Sequence, residues 1–266
     1  MLDKYRRDRL RSVPFFDGLL SGETDALVAS FSGTPALHHP VRGWIRGEDA
    51  FRRFVGDTRA WLTERHVEVE EVNILITTPR GIEEVVLRLD GDEGRIGLPL
   101  AFATDHDDNE RITEMRLYFS TWPLLGRRSS CPPLPRPDRD LDGPDVVGEY
   151  RRALATGDVD AILAAFEPDG YLREPDGDTR VHRGPAQLRT LYEHLFSDGG
   201  GITLEPCSVT DDGRICALEY NTVARSPTAR SPEAGLGVYV RGDSGRLAAA
   251  RVYHDPDPPF DQGATP

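Results

Sequence analysis

The stretch "YRRALATGDVDAILAAF" (Tyr150–Phe166), with "YLREPDGDTRVHRG" (Tyr171–Gly184) close behind it, decides how this 266-residue chain folds. Val147, Tyr150 and Leu154 recur at helical spacing, and Gly157 is placed to close that helix. Val159, Ile162, Leu163 and Phe166 make a second short amphipathic helix. Pro185 opens a third, whose apolar face is Leu188, Leu191, Tyr192 and Leu195. After "SDGGG" the period changes to four extended runs, "ITLEPCSV", "RICALEYNTV", "GLGVYVRG" and "RLAAARVYH". Helices first and then a strand meander predict an α+β domain with helices packed on one face of an antiparallel sheet.

The same pattern occurs earlier. "GETDALVASF" (Gly22–Phe31) matches "GDVDAILAAF" (Gly157–Phe166) at a displacement of 135 positions. That displacement also pairs Leu19 with Leu154, "LHHP" (Leu37–Pro40) with "LREP" (Leu172–Pro175), and "RLY" (Arg116–Tyr118) with "RVY" (Arg251–Tyr253). In the first copy the third helix falls around Phe51–Leu62, with strands near "VEVEEVNILI", "EEVVLRL", "GLPLAFA" and "RITEMRLYF". One shift holding from first helix to last strand reads as a tandem duplication. The predicted organisation is a diverged domain at 10–125, a linker at 126–145, a second domain at 146–258 and a disordered tail at 259–266. The linker "GRRSSCPPLPRPDRDLDGPD" is rich in Pro, Asp and Arg and has no apolar periodicity.

Bulk properties narrow the function. A hydrophobic share of 38% is enough for compact cores. A formal net charge of −13 speaks against nucleic acid, whose phosphates call for a basic face. The basic cluster Arg6–Arg11 is interrupted by Asp8 and reads as a solvated helix face. No apolar run approaches the about 20 residues of a membrane span, so no membrane partner is expected. The first residues lack the apolar stretch of a secretory signal. Three cysteines, Cys131, Cys207 and Cys216, with no CxxC, suggest reduced thiols and a cytoplasmic location.

The combination "EYRRALATGDVDAILAAF…YLREPDG…HRG", followed by four strands ending in "RVYHD", resembles the nuclear transport factor 2-like superfamily, which includes the ketosteroid isomerase-like and SnoaL-like (polyketide cyclase) domains. The resemblance covers essentially the whole chain, once per copy. It implies two tandem cone-shaped domains of three helices and a curved sheet, each with an apolar pocket, associated as an internal pseudo-dimer; further oligomerisation is left open. It also implies cofactor-free chemistry, in which a carboxylate moves a proton next to a carbonyl while a Tyr and a protonated Asp stabilise the enolate oxygen. Tyr150, seven residues before Gly157, stands at the place of that Tyr, and Glu174, before Pro175, at the place of the base. The third member, an acid, should fall near Gly237, where there is none. In the first copy Phe15 takes the Tyr place and His39 the carboxylate place.

Each candidate has a plainer alternative. Tyr150 is equally a core aromatic, and Glu174 a surface ion pair with Arg173 or Arg180 worth little. His39 is a candidate base or pocket group, since an unperturbed imidazole titrates near 6.5. His38 and His39 together invite a metal, but neighbours on a strand face opposite ways and no ligand set accompanies them, so no metal is expected. Glu219 and Asn221 alternate with Leu218 and Tyr220, so one pair faces the cone interior. Tyr253, His254 and Asp255 end the last strand at the expected pocket rim, and His182 reads as exposed. "GGG" (Gly199–Gly201) is a connection without a phosphate-loop pattern, and no GxSxG motif supports a hydrolase triad. The reading is therefore an enzyme acting by acid–base chemistry on a hydrophobic small molecule such as a polyketide: isomerisation, cyclisation or epoxide-type hydration. Glu174 is its base and Tyr150 its oxyanion donor. The rival is a non-catalytic small-molecule carrier or interaction module of the same fold.

Overall fold

The computed structural model describes residues 15–92, 94–128, 135–197, 199–223 and 234–255. The basic cluster Arg6–Arg11, Cys131 and the tail from 259 lie outside them. The chain divides into two units between Tyr118 and Phe119.

Unit 1 runs α1 (Phe15–Ser21), α2 (Thr24–Ala29), β1 (Ala36–His39), β2 (Gly43–Arg46), α3 (Glu48–Glu64), β3 (Glu68–Thr77), β4 (Arg80–Gly91), β5 (Gly94–His106) and β6 (Ile112–Phe119). Unit 2 runs α4 (Trp122–Leu125), α5 (Asp145–Thr156), α6 (Val159–Ala165), β7 (Phe166–Arg173), β8 (Val181–Arg183), α7 (Gly184–Leu195), β9 (Leu204–Asp211), β10 (Ile215–Thr222), β11 (Ala234–Arg241) and β12 (Leu247–Tyr253). Each unit has one six-stranded sheet, ordered β2-β1-β6-β5-β4-β3 and β8-β7-β12-β11-β10-β9. Element for element the two orders coincide, and the class is the α+β class expected from the sequence.

Each sheet has six strands where the pattern suggested four. The additional pair in each unit follows the second helix, and its strands are 3 to 8 residues long. In unit 2 the helix expected to end at Phe166 stops at Ala165, and Phe166 starts β7. β7 then runs parallel to β12, pairing Arg173 with Arg251, and antiparallel to β8, pairing Leu172 with His182.

Local chemistry fixes the helical corner. Gly157 closes α5 at φ 73, and its counterpart Gly22 has φ 81, a left-handed turn that a side chain strains. Asp158 then caps α6, its side chain accepting the Ala161 N–H at 3.0 Å, a bond worth about 1 kcal/mol. Glu23, at the matching place before α2, makes no such bond. Behind this corner Val147, Tyr150, Ile162 and Leu188 pack on Leu218, Tyr220 and Tyr239 of the sheet. Each such apolar side chain contributes about 1.5–3 kcal/mol on burial. The strand alternation therefore puts Leu218 and Tyr220 on the helix-covered face, and Glu219 and Asn221 on the other. Part of the expected linker is tied to the sheet: Asp138 donates its N–H to the Pro206 carbonyl at 2.8 Å, and Cys207 its thiol to the Pro135 carbonyl at 3.6 Å. Cys207 and Cys216 are buried thiols that form no disulfide among the described residues.

Candidate functional site

The hairpin from β7 to β8 builds the most unusual polar feature of unit 2. The "EPDGDTR" turn is braced by an ion pair of Arg180 Nε to Asp176 at 3.0 Å and by the Glu174 N–H donating to the Arg180 carbonyl at 3.0 Å. Its register sets His182 opposite Leu172, on the helix-covered face. Glu174, two residues beyond Leu172, lies on that same face at the diagonal position. Glu174 Oε1 and His182 Nε2 accordingly share a hydrogen bond. Glu174 is 1% exposed, and its second oxygen, Oε2, is buried with no hydrogen-bond partner among the described residues. Leaving a carboxylate oxygen dry and unmatched costs on the order of 1–3 kcal/mol. The His182 side chain, 25% exposed, connects this carboxylate to solvent.

Tyr150 sits elsewhere on that face. Its hydroxyl is 2.8 Å from that of Tyr192 on α7, and its ring meets Phe166 edge-on at 5.7 Å and Tyr239 at 5.6 Å. Burial first, then the neighbouring Tyr192, pushes the Tyr150 phenol well above its ordinary range. Tyr150 and Glu174 thus each have a partner, and the partners differ. Beside them, a Cβ built at Gly237 would lie 2.5 Å from the Tyr239 hydroxyl. The space at the position of the expected acid is therefore filled by a phenol from two residues along the same strand.

The remaining candidates divide by face. His254 is buried on the helix side, its Nδ1 3.5 Å from the Tyr220 hydroxyl, and burial followed by Arg128 lowers its pKa to about 4. Glu219 accepts from the Ser208 hydroxyl at 2.5 Å on the opposite face. Asn221 donates there to the Pro135 carbonyl at 3.4 Å. Tyr253 lies under the Arg173 guanidinium, 4.8 Å from its ring centre. Asp255 is a buried anchor that accepts from the Ser120 hydroxyl at 3.1 Å, the Thr121 N–H at 2.9 Å and the Thr121 hydroxyl at 2.8 Å. In unit 1, His39 Nδ1 accepts the Val41 and Arg42 N–H groups at 3.1 and 3.3 Å, closing the β1–β2 turn. Burial, then Arg42 and His38, lowers its pKa to about 4. No group of three or more metal-ligating side chains occurs among the described residues.

Residues 147–256 match the SnoaL-like domain family. Unit 2 carries a SnoaL-like domain. Among solved structures, a candidate polyketide cyclase from Sinorhizobium meliloti matches over 41% of this chain and 94% of its own, at 24% identity and a TM-score of 0.34. The epoxide hydrolase/cyclase-like enzyme SalBIII, described in pyran ring formation in the polyether salinomycin, matches over 41% and 87%, at 25% identity and a TM-score of 0.34. An NTF2-like protein of unknown function from Cytophaga hutchinsonii matches over 47% and 100%, at 19% identity and a TM-score of 0.36. No curated protein matches the sequence.

Within the SnoaL-like domain, the sequence points to Glu174 and Tyr150 but not to their partners. His182 was legible through the "PDG" turn, which sets up a hairpin and so brings residue 182 back beside 172. Tyr192 was visible only as part of an apolar helix face. Tyr239 carried no signal, because its role depends on the missing side chain at Gly237.

Proposed function

We propose that the SnoaL-like domain of unit 2 performs cofactor-free acid–base chemistry on a hydrophobic small molecule, with Glu174 as the proton acceptor. The observation that carries this reading is the Glu174 carboxylate, buried at 1% exposure with one oxygen held by His182 and the other unmatched. A carboxylate so placed is oriented by the imidazole and keeps Oε2 for a proton on the substrate. In the simplest cycle Glu174 removes a proton from the carbon beside a carbonyl and returns it to another carbon, an isomerisation with no external reagent. The same group removes a hydroxyl proton in a cyclisation, or a water proton when an epoxide opens. Tyr192 donating to Tyr150 leaves the Tyr150 hydrogen for the developing oxyanion, where a dry hydroxyl is worth far more than in water. Polyketides and related secondary metabolites supply substrates of this kind, and the matching strand orders of the two units support their origin in a duplicated domain.

The test is proton exchange at carbon: 2-cyclohexenone in deuterated buffer, followed by NMR, with wild-type protein and Glu174→Gln. Exchange accelerated by the wild type and lost in the variant is expected. Exchange no faster than buffer across enolisable and epoxide-bearing apolar compounds, or unchanged in Glu174→Gln, removes the catalytic reading. A carrier or interaction module is the second reading, and the engagement of the Tyr150 hydroxyl with Tyr192 favours it.

A further inference from the structure

Unit 1 contains a cavity of about 60 Å³ that the acid–base reading of unit 2 does not use. Its depth is apolar, with Phe15, Phe31, Phe102 and Met115 all buried. Its mouth is marked by the residues of the lining that reach solvent: Ile76, 37% exposed, with Glu83, Thr104 and His106 half-buried. These come from the ends of β3 and β5 and the start of β4, at the hairpin end of the sheet, while His39 ends β1 beyond the level of Arg116. Gly81 keeps the mouth open, since a Cβ there would lie 2.8 Å from the Thr104 hydroxyl and 3.2 Å from His106 Cε1.

We propose that this cavity binds a small neutral ketone or alcohol, its alkyl end among Phe15, Phe31, Ile74, Phe102 and Met115 and its oxygen at the His106 imidazole. Size sets the first limit. A volume of 60 Å³ is less than half that of an apolar cavity of about 150 Å³ that takes up benzene, so only two or three carbons of a ligand sit in the depth and its remainder stands at the mouth. Polarity sets the second. The His106 side chain has no hydrogen-bond partner among the described residues, leaving one nitrogen to donate and one to accept. Burial lowers its pKa, so it stands neutral at pH 7. Charge sets the third: Glu83 lies at the mouth, and Asp105, Asp107 and Glu110 act electrostatically on the imidazole, which disfavours an anionic head. Asp105 is already engaged by Arg80 at 2.9 Å and Arg116 at 2.6 Å, which weakens its attraction for a cation.

The chain has two methionines, Met1 and Met115, so methyl-13C methionine labelling places one NMR reporter inside the cavity. Full-length protein is titrated with 2-butanone, butyrate and n-butylamine, which share a four-carbon size and differ in charge. The expected result is a saturable shift of the Met115 methyl with 2-butanone and half-saturation at least tenfold higher for the two charged compounds. His106→Leu is expected to raise the 2-butanone half-saturation about fivefold, and Ile74→Phe to abolish the shift by filling the void. No saturation with 2-butanone overturns the site. Equal saturation by butyrate or butylamine overturns the neutral head, and an unchanged His106→Leu titration overturns the assignment to His106. Should Ile74→Phe fail to fold, the wild-type and His106→Leu titrations decide alone. None of these readouts involves Glu174, so this site and the acid–base reading stand or fall separately.

Discussion

Two matching positions, His39 in unit 1 and Glu174 in unit 2, show how one sheet arrangement hosts different chemistry. Both follow the second helix and precede a proline; His39 ends β1 and Glu174 directly follows the last residue of β7, the first strand of each short antiparallel pair. The β1–β2 turn is tight, and His39 Nδ1 is consumed inside it by two backbone N–H donors. The β7–β8 hairpin is longer and braced by Asp176 and Arg180 instead. Its length lets His182 return beside Glu174 and leaves a carboxylate oxygen unassigned. A turn that uses a polar side chain for its own closure removes that side chain from chemistry. The other matched pair repeats the lesson, since Phe15 packs on Phe16 and Phe102 at 5.7 and 5.0 Å, whereas Tyr150 brings a hydroxyl that must find Tyr192.

The sharpest way to break this contrast is to neutralise each position in turn. Glu174→Gln keeps the shape and a hydrogen bond to His182 and removes the base. It is expected to lower carbon–proton exchange about 1,000-fold, or about 4 kcal/mol, while His39→Gln leaves exchange within twofold. Comparable losses from both substitutions would erase the division between units. Next in size, His182→Phe strands the buried Glu174 carboxylate and is expected to cost about 3 kcal/mol. Hydrogen-exchange protection of the β7 amides reads this locally. Adding Glu174→Gln to His182→Phe should recover most of the loss, because a neutral amide costs less to bury unpaired. An additive double variant would mean the two side chains are not coupled.

Acid distinguishes the units more gently. His38 and His39 in unit 1 and His254 in unit 2 each have a folded pKa lowered to about 4, chiefly by burial. A histidine depressed in this way binds its proton more readily when unfolded. Its contribution is therefore complete above about pH 6.5 and is lost as pH falls toward about 4. At pH 5 each such histidine should cost about 2 kcal/mol relative to pH 7. Unit 1 carries two of them against one and should loosen first. Trp44, which meets His38 edge-on at 5.2 Å, reports this by fluorescence. Loss of β7 protection at higher pH than the Trp44 transition would contradict the ordering.

Much of this architecture was legible because it rests on local rules. Gly22 and Gly157 mark helix ends through their φ, the helix faces through the spacing of Leu188, Leu191 and Tyr192, and the last four strands of each unit through extended apolar runs. The short first strands escaped because β8 spans only Val181–Arg183, too brief to display alternation. Glu174 was legible by position, but its burial stayed open, since neighbouring Arg173 and Arg180 offered a solvated ion pair beside the pocket reading. In the fold Arg173 turns to the opposite face over Tyr253, and Arg180 pairs with Asp176. The face taken by Glu219 and Asn221 was likewise open, because alternation gives two faces without saying which one the helices cover.

The smallest expected effect concerns the phenol pair. Tyr192→Phe removes one hydroxyl from a buried contact of 2.8 Å and should cost about 1 kcal/mol, the net value of such a bond. Tyr150→Phe with Tyr192→Phe removes both partners, leaves no unmatched hydroxyl, and brings unit 2 to the aromatic state that unit 1 has at Phe15. The double variant should therefore be no less stable than either single one. Exchange catalysis then separates two roles for Tyr150. If its hydrogen serves the oxyanion, Tyr150→Phe lowers exchange far more than Tyr192→Phe, which only reorients that hydrogen. If the pair serves packing alone, both variants lose stability while exchange per folded molecule stays constant, and the donor role passes to another hydroxyl, for which Tyr239, its ring 5.6 Å from that of Tyr150, is the candidate.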